Sequence, residues 1–274
     1  MPDWLHVTRN TTPLLLSIPH AGLAIPPAVE TRLVSPQLAR FDTDWWVDRL
    51  LDFAPALGAT VVRTSVSRTV IDVNRNPGGM LPEPEQLIPP TALCPLTTFD
   101  GRPLYRPGCE PNARAVMDRR RQFFQPYHDA LAVEIARLRA LHSHIVLCDC
   151  HAIRSSVAGL PPDRLRVFNV GTNGGTSCST ALTLAVAREC AASGRSYISN
   201  GPFKGGYTVL RYGQPERGVH TLQLVLACRG YLHEPMEQLN EHNWPVFFDP
   251  HFAEPMRLVL QRILMECMKF ALVR

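Results

Sequence analysis

Two short runs of almost continuously apolar residues place the strongest constraint on the fold. The first, LLLSIPHAG, covers residues 14–22, and the second, HIVLCDCHA, covers residues 144–152. Apolar runs of this length are typical of buried strands. Each run delivers a histidine as it ends, His20 in the first and His151 in the second. We therefore expect two core strands that each present an imidazole near the carboxyl end.

Strand patterns alternate with helix patterns along the chain. The predicted strands cover 13–19, 59–66, 144–149, 166–170, 195–199 and 219–226. The predicted helices cover 44–57, 111–142, 179–192 and 252–272. This alternation predicts an α/β fold in which helices flank a mixed, largely parallel sheet, and we expect one domain over residues 1–274. Ligands of open α/β sheets bind beyond the carboxyl ends of the strands, so this fold would bring His20 and His151 to one edge.

The composition excludes several classes of function. The 274 residues carry a formal net charge of +4, with 45% hydrophobic and 19% charged residues, as in an ordinary globular protein. So weak and dispersed a charge argues against a nucleic-acid partner and suits a small anionic substrate. Neither a signal peptide nor a membrane span is apparent, so we expect no membrane partner, and no oligomeric state is predicted. Eight scattered cysteines without a CxxC pair favour a reduced cytoplasm.

A proline-rich segment at 77–111 shows no sustained periodicity. Loops of that length are uncommon unless they serve a site or act as a linker. We predict an excursion over the surface that lines a pocket.

The two histidines suggest a metal site. Catalytic zinc takes three protein ligands and leaves one position open, and two histidines with one carboxylate form a common set. The candidate carboxylates are Asp42 and Asp44 in FDTDWW and Asp149 in DCH. In the alternative interpretation, His20 and His151 are ordinary strand-end histidines that hydrogen-bond to the backbone.

A third segment, SVSRTVIDVNR at 65–75, ends in Asp-x-Asn-Arg. The guanidinium of Arg75 could bind a carboxylate through two parallel hydrogen bonds, and the neighbouring Asn74 amide adds a donor. Arg68 precedes Arg75 by seven residues, so two guanidinium groups could line one pocket. Alternatively, Arg75 forms a surface salt bridge and Asn74 makes a turn.

Together these segments resemble the N-formylglutamate amidohydrolases, the deformylases of histidine degradation, over most of the chain. The matching motifs, in order, are SIPHAG at 17–22, FDTDWW at 41–46, SRTVIDVNR at 67–75, LCPLTTFDGRPLY at 93–105, DCHAIRS at 149–155, NVGTNGGTSC at 169–178 and NGPFKGGY at 200–207. Seven ordered motifs are far more specific than any one of them. Because that family is similar to the zinc carboxypeptidases and aspartoacylases, the resemblance implies a phosphorylase/hydrolase-like (zinc carboxypeptidase-like) fold. It also implies one Zn²⁺, or another divalent metal, per chain.

The resemblance implies metal ligands residue by residue. His20 and His151 match the metal histidines of the family. The wider superfamily takes its carboxylate from the position that Leu23 occupies here, so the ligand must come from elsewhere. The start of the next helix is the best match, with Asp44 first and Asp42 second.

The resemblance also implies residues that contact the substrate. Asn74 and Arg75 match the element that grips a substrate carboxylate, and Arg68 would polarise the scissile carbonyl as a catalytic residue. A second carboxylate, on a glutamyl group, would be held by residues of FKGGYTVLR, namely Lys204, Tyr207 and Arg211. The alternative for this last segment is a solvated loop.

One position departs from the family pattern. The matching strand usually reads Gln-Leu-Glu, and its Glu resembles the general acid and base of the superfamily, but here Gln223 and Leu224 precede Val225. General acid–base catalysis typically contributes about 10²–10⁴-fold in rate, so its loss would threaten turnover. Another acid, Glu216 or Glu234, could fill the role, and we predict Glu216. Alternatively, a different substrate could need less acid–base help, or the chain could bind without efficient catalysis.

Three functions are consistent with these observations. The first is a zinc-dependent amidohydrolase acting on linear amides, which converts N-formyl-L-glutamate, or a similar N-acyl amino acid, to formate and glutamate. The second is a degenerate paralogue that binds acidic amino-acid derivatives with little turnover, because Val225 replaces the expected Glu. The third is a zinc carboxypeptidase-like peptidase.

Overall fold

The computed structural model describes residues 2–78, 93–158, 160 and 165–273, which are built around a seven-stranded sheet. Across the sheet the strands are β1 (Leu5–Thr8), β3 (Thr60–Thr64), β2 (Leu14–Ile18), β4 (Ile145–Ile153), β7 (Val219–Ala227), β5 (Phe168–Gly171) and β6 (Tyr197–Ser199). Six of these strands overlap the predicted ones, and the predicted α/β class with a mixed sheet is confirmed.

The four central strands run in the same direction. β3, β2, β4 and β7 are parallel neighbours, whereas β1 pairs antiparallel with β3 and β5 pairs antiparallel with β7. Their carboxyl ends therefore share one edge of the sheet. His20 lies two residues beyond β2, and His151 lies within β4, two residues before its end. The expectation that both histidines reach the same edge is confirmed.

Helices cover both faces of the sheet. They are α1 (Pro27–Glu30), α2 (Pro36–Ala39), α3 (Val47–Leu50), α4 (Ala113–Arg119), α5 (Gln125–Arg139), α6 (Thr180–Ala192), α7 (Tyr207–Tyr212) and α8 (Pro250–Leu272). α5 reaches the Asp149 side of β4, whereas Cys267 of α8 contacts Cys148 on the opposite side, because adjacent strand residues point to opposite faces. Within the described ranges, no helix has both the length and the apolar sequence that a membrane span requires.

Two sequence predictions need correction. The predicted helix at 44–57 is only the single turn α3, followed by turns as far as Gly58. Trp46 adopts a left-handed backbone with φ of 63°, which an α-helix does not contain, and Pro55 lacks the amide hydrogen that a continuing helix would use. β1 was not predicted, because four residues at a sheet edge carry too little periodicity. Of the predicted loop 77–111, residues 79–92 lie outside the described residues.

The predicted helix at 111–142 is interrupted by a π-helical turn. Residues Arg120–Phe124 form this turn between α4 and α5. Such turns are rare and are frequently found at functional sites. In the first turn of α5, which follows it, the imidazole of His128 is buried. Its Nε2 lies 2.7 Å from the Val73 carbonyl oxygen, and its Nδ1 lies 3.0 Å from the Tyr212 hydroxyl. Because Nε2 faces a carbonyl, it carries the proton and donates.

Burial sets the charge of this histidine. Desolvation lowers the pKa of His128 from 6.5 to about 4, against the hydrogen bond to Val73 and the nearby carboxylates of Asp149 and Asp129. The cation of Arg211 lowers the pKa further. His128 is therefore neutral in the folded protein at neutral pH.

The unfolding free energy of the wild-type protein should fall more steeply than that of a His128→Gln variant between pH 6.5 and pH 4. In this window the unfolded chain binds a proton that the folded chain does not, so stability is lost as pH falls, by about 3 kcal/mol at the lower end. Glutamine does not titrate, and its amide nitrogen can still donate to Val73. Urea unfolding of both proteins at several pH values measures the difference. Parallel curves for the two proteins would contradict the prediction.

Candidate functional site

A tight turn after β2 carries the first histidine of the site. Gly22 in this turn packs so closely on the end of β3 that a Cβ atom would lie 2.4 Å from the carbonyl carbon of Ser65. The amide of Ala24 donates to the Ser65 carbonyl at 2.8 Å, which fixes the turn against the neighbouring strand. The amide of Asp44 donates to the carbonyl of His20 at 3.1 Å. This backbone hydrogen bond holds residues 20 and 44 next to each other, so that their imidazole and carboxylate are close together.

His20, Asp44 and His151 converge at the carboxyl edge of the sheet. One ligand atom from each lies within 4.8 Å of the others, and all three side chains are buried. Oδ2 of Asp44 is 2.9 Å from Nδ1 of His151 and 3.6 Å from Nδ1 of His20. Nδ1 of His20 is buried without a hydrogen-bond partner. A buried imidazole nitrogen normally has a partner, so this atom marks a position that a cation would fill.

A second carboxylate stands behind each imidazole. Nε2 of His20 is 2.8 Å from Oδ1 of Asp72, and Nε2 of His151 is 2.8 Å from Oδ2 of Asp149. A metal-bound histidine almost always donates its other ring nitrogen to such a group, which fixes the ring and directs the free nitrogen at the metal. In both histidines the remaining ring nitrogen is Nδ1, and both Nδ1 atoms face Asp44. The two-histidine, one-carboxylate donor set and this orientation fit Zn²⁺ or a similar divalent ion.

The pKa values in the cluster reflect its concentration of charge. Burial alone would raise the pKa of Asp44, but the hydrogen bond from His151 and the charge of the His151 and His20 imidazoles hold it well below its usual range. The pKa of Asp72 is likewise lowered, despite burial, by His20, Arg68 and Arg75. Burial opposes protonation of His151, yet the carboxylates of Asp149 and Asp44 raise its pKa to about 10. The cluster thus favours positive charge between its carboxylates, which a divalent cation would also supply.

Arg68 forms ion pairs with both Asp44 and Asp72. Its Nη1 donates to Oδ1 of Asp44 at 3.3 Å, and its Nη2 donates to Oδ2 of Asp72 at 2.7 Å. Its guanidinium lies 4.8 Å from the ring of Phe99. The structure therefore places Arg68 at the centre, where it holds a candidate ligand and the carboxylate behind His20. Its predicted action on a substrate carbonyl stays a prediction.

The amide of Asn74 is engaged within the protein. Oδ1 accepts from the amide of Thr208 at 2.8 Å, and Nδ2 donates to Oδ2 of Asp149 at 2.9 Å. Arg75 differs, because its side chain is 21% exposed and lies 3.4 Å from Asp72 through Nε. Arg75 is thus better placed than Asn74 to meet a substrate carboxylate, and both roles stay predictions.

The remaining predicted residues are distributed around the site. Tyr207 opens α7 beside the cluster, since its amide donates to the Asn74 carbonyl at 3.2 Å. Lys204 is half-buried in the preceding loop, and Arg211 is exposed in the last turn of α7. Glu216 lies in a short 3₁₀ turn before β7 and is exposed, at the amino end of a strand whose carboxyl end borders the site. The structure does not bring Glu216 to the cluster.

Two further acids weighed from the sequence have other partners. Asp42 accepts hydrogen bonds from the Phe99 amide at 2.6 Å and from Arg154 at 2.8 Å, and it lies outside the histidine cluster. Both carboxylate oxygens of Glu234 accept from Ser155, one from its amide at 2.7 Å and one from its hydroxyl at 2.5 Å. Of the two aspartates in FDTDWW, Asp44 is the one that meets the histidines.

Val225 lies beside His151. The two residues are partners in the parallel register of β4 and β7, so their side chains point to the same face of the sheet. Val225 is buried in a small apolar cluster that includes Ile153 and Ala227 and is covered by Phe99 and Phe203. An apolar side chain thus occupies the position next to a candidate metal ligand.

Sequence reasoning missed several residues that support the histidines. Asp72 is the first residue of the Asp-x-Asn-Arg motif, whose predicted functional residues are Asn74 and Arg75. The need of a metal-bound histidine for a carboxylate behind it is a signal that could have identified Asp72. Ser17 and Tyr127 also contribute, because the Ser17 hydroxyl donates to Asp149 at 2.7 Å and lies 2.8 Å from the Tyr127 hydroxyl. No sequence pattern distinguishes these two from other core residues.

The glycine pair of FKGGY allows its loop to reach the centre. The amide of Gly206 donates to Oε1 of Gln223 at 2.6 Å, which ties the loop to β7. A Cβ atom on Gly206 would lie 2.3 Å from Nδ2 of Asn74. The residue at 206 must therefore be glycine for reasons of space, although its backbone φ of −92° is ordinary.

Comparison with known proteins gives a consistent result. Residues 12–232 match the model of the family described as N-formylglutamate amidohydrolase. The chain is 42% identical over 265 residues to an N-formylglutamate deformylase of Pseudomonas aeruginosa, with 96% of each chain covered. It is 37% identical over 265 residues to an N-formylglutamate deformylase of Pseudomonas putida, covering 96% of this chain and 95% of the relative.

Two solved structures share the fold. An N-formylglutamate amidohydrolase from Ralstonia eutropha superposes with a TM-score of 0.77 at 22% identity, covering 98% of this chain and 97% of that one. A gene product of Agrobacterium tumefaciens superposes with a TM-score of 0.72 at 18% identity, covering 98% and 96%. At these identities the likeness concerns the fold alone.

A Gly206→Ala variant should lose about 1–3 kcal/mol of unfolding free energy, because its methyl group would collide with the Asn74 amide. Gly78→Ala is the matched control, since the nearest atom to its Cβ would be the end of the Asn76 side chain at 3.3 Å. We expect the control to change stability by less than about 0.5 kcal/mol. Urea unfolding measures both variants. Equal unfolding free energies of the two variants would contradict the prediction, because they would show that the loop accommodates the methyl group without loss of stability.

Proposed function

Because the chain belongs to the N-formylglutamate amidohydrolase family, we propose that it hydrolyses the formyl amide of N-formyl-L-glutamate to formate and glutamate. The observation that carries the proposal is the convergence of His20, Asp44 and His151 with an unpartnered buried nitrogen on His20. As the resemblance implies, the reaction would serve histidine degradation in the cytoplasm. Substrates with other acyl groups or amino acids belong to the same proposal.

The proposed reaction depends on one divalent ion per chain, with Zn²⁺ favoured by the donor set. His20, Asp44 and His151 would hold it, and Asp72 and Asp149 would keep the two imidazoles turned towards it. When bound, such an ion lowers the pKa of water to near neutrality and polarises a carbonyl.

The protein's own cations would bind the substrate. Arg75 is half-buried beside Asp72, so its guanidinium could meet one carboxylate of a glutamyl group while remaining charged. A second carboxylate would be met by residues around α7, namely Lys204, Tyr207 and Arg211. Arg68 keeps Asp44 and Asp72 in place and supplies positive charge where negative charge develops in the transition state.

A second candidate function is motivated by Val225. A buried valine beside His151 can neither take a proton from water nor pass one to the leaving amine. The chain would then bind acidic amino-acid derivatives with little turnover. This candidate shares the metal and substrate residues of the first and differs in its catalytic rate.

Under the first proposal, purified wild-type protein should contain about one divalent metal per chain and release formate from N-formyl-L-glutamate. Asp44→Asn should remove both properties, because a neutral amide is a poor ligand for such an ion. Asp42→Asn is the matched control and should retain the metal, since its carboxylate contacts Arg154 and Phe99 instead. Elemental analysis and a formate assay measure the two properties.

Other results would favour different conclusions. Absence of any divalent ion from the wild-type protein, even after incubation with Zn²⁺, Mn²⁺, Co²⁺ or Fe²⁺, would contradict the metal-dependent proposal. Release of a C-terminal residue from peptides, without formate release, would favour the carboxypeptidase-like alternative.

The second candidate predicts that Val225→Glu raises the rate of formate release by about 10²-fold or more, because it restores a general acid–base group. Val225→Gln is the matched control, since it adds similar bulk without a titratable group. Steady-state kinetics on metal-loaded protein compare the two. A folded, metal-loaded Val225→Glu variant with no gain would mean that the base lies elsewhere in the chain.

A further inference from the structure

We propose that Tyr127 and His128, adjacent residues of α5, are positioning residues for the two histidines of the metal centre. The proposal rests on the metal-dependent function argued above. Neither residue contacts the candidate ligands directly. Tyr127 acts through a chain of buried hydrogen bonds that ends on Asp149, and His128 acts through a buried hydrogen bond to the backbone next to Asp72.

Tyr127 supports His151. Its hydroxyl lies 2.8 Å from Oγ of Ser17, which donates to Oδ1 of Asp149 at 2.7 Å. The other oxygen of Asp149 contacts Nε2 of His151 at 2.8 Å. Because the single proton of Ser17 goes to Asp149, the tyrosine hydroxyl must donate to Ser17. All hydrogen bonds of this chain therefore point from Tyr127 towards Asp149, and they hold Oδ1 of the carboxylate whose Oδ2 orients His151.

His128 supports His20. Its Nε2 donates to the Val73 carbonyl at 2.7 Å. Val73 stands between Asp72, which accepts from His20, and Asn74, which donates to Asp149. A shift of the Val73 peptide would move both neighbours at once. The imidazole thus holds the backbone from which the carboxylate of Asp72 reaches His20.

The π-helical turn rotates α5 relative to α4, so that side chains of both helices can reach the same segment, residues 70–73. Arg119, at the end of α4, donates to the Val70 carbonyl at 3.0 Å, and His128 donates to Val73 in the same segment. The two residues are nine apart, so on a continuous α-helix they would face opposite sides, about 180° apart. The extra residue of the turn at Arg120–Phe124 reduces this angle to about 80°, which lets both reach residues 70–73.

The test measures the affinity of metal-free protein for Zn²⁺ by competition with a chelator. Tyr127→Phe and His128→Leu should each weaken binding by about 10-fold or more, because removal of an outer partner of a metal histidine typically costs about 10–100-fold. His128→Gln should stay within about 3-fold of the wild type, since its amide nitrogen can donate to Val73 as Nε2 does. Rescue by this variant would identify the hydrogen bond, rather than the ring, as the cause.

Tyr105→Phe is the matched control. It also removes a buried tyrosine hydroxyl, one that accepts from Arg119 at 2.9 Å and has no hydrogen bond to the carboxylates behind the histidines. Its Zn²⁺ affinity should equal that of the wild type even where its unfolding midpoint falls. If Tyr127→Phe and His128→Leu bind Zn²⁺ as tightly as Tyr105→Phe, the positioning role is wrong while the metal centre stands. If the wild-type protein binds no divalent ion, the proposed function fails, and this inference fails with it.

Discussion

The carboxylate of Asp44 lies between two imidazoles in the protein interior. Its ion pairs are the interactions on which the arrangement of side chains at the carboxyl edge of the sheet depends. Burying a charged group is costly unless it is paired and hydrogen-bonded. Asp44 meets this requirement with His151 and His20 on one oxygen and Arg68 on the other. Arg68 in turn needs a second anion, which Asp72 provides. Starting from Asp44, acidic and basic side chains therefore alternate, so that each buried charged group of this cluster lies beside a group of opposite charge.

The sheet topology makes this alternation possible. Parallel strands end at one edge, so segments distant in sequence deliver polar groups to the same place. β2 leads to His20, β4 carries Asp149 and His151, and β7 supplies Gln223, whose side chain anchors the loop at Gly206. The first residues of β2 and β4 are apolar, and the buried charges of these two strands lie in the second half of β4, from Asp149 onward. Each imidazole is consequently held by groups from two or more strands or from the turns that follow them.

The sequence predicted the parts of this arrangement that local patterns encode. Apolar runs ending in His20 and His151 identified two strands, and α/β topology then required the histidines to share an edge. Asp44 was favoured by resemblance, and its contacts agree with that choice. Ser17 and Asp149 are 132 residues apart and join through one hydroxyl, a contact that neither periodicity nor spacing encodes. The helix predicted at 44–57 was wrong because its apolar spacing fits a turn-rich segment equally well once Trp46 adopts a left-handed backbone.

Holding a metal and turning over a substrate depend on different residues in this chain. The groups that would fix an ion are complete: two imidazoles, one carboxylate between them, and one carboxylate behind each. The position beside His151 in the next strand is apolar, so proton transfer cannot come from there. Loss of an acid–base group lowers a rate without removing a binding site, because the ion and the substrate carboxylates are held by other charges. The architecture around Asp44 can therefore persist whether or not the chain is an efficient catalyst, and metal affinity and turnover must be measured separately to distinguish the two proposed functions.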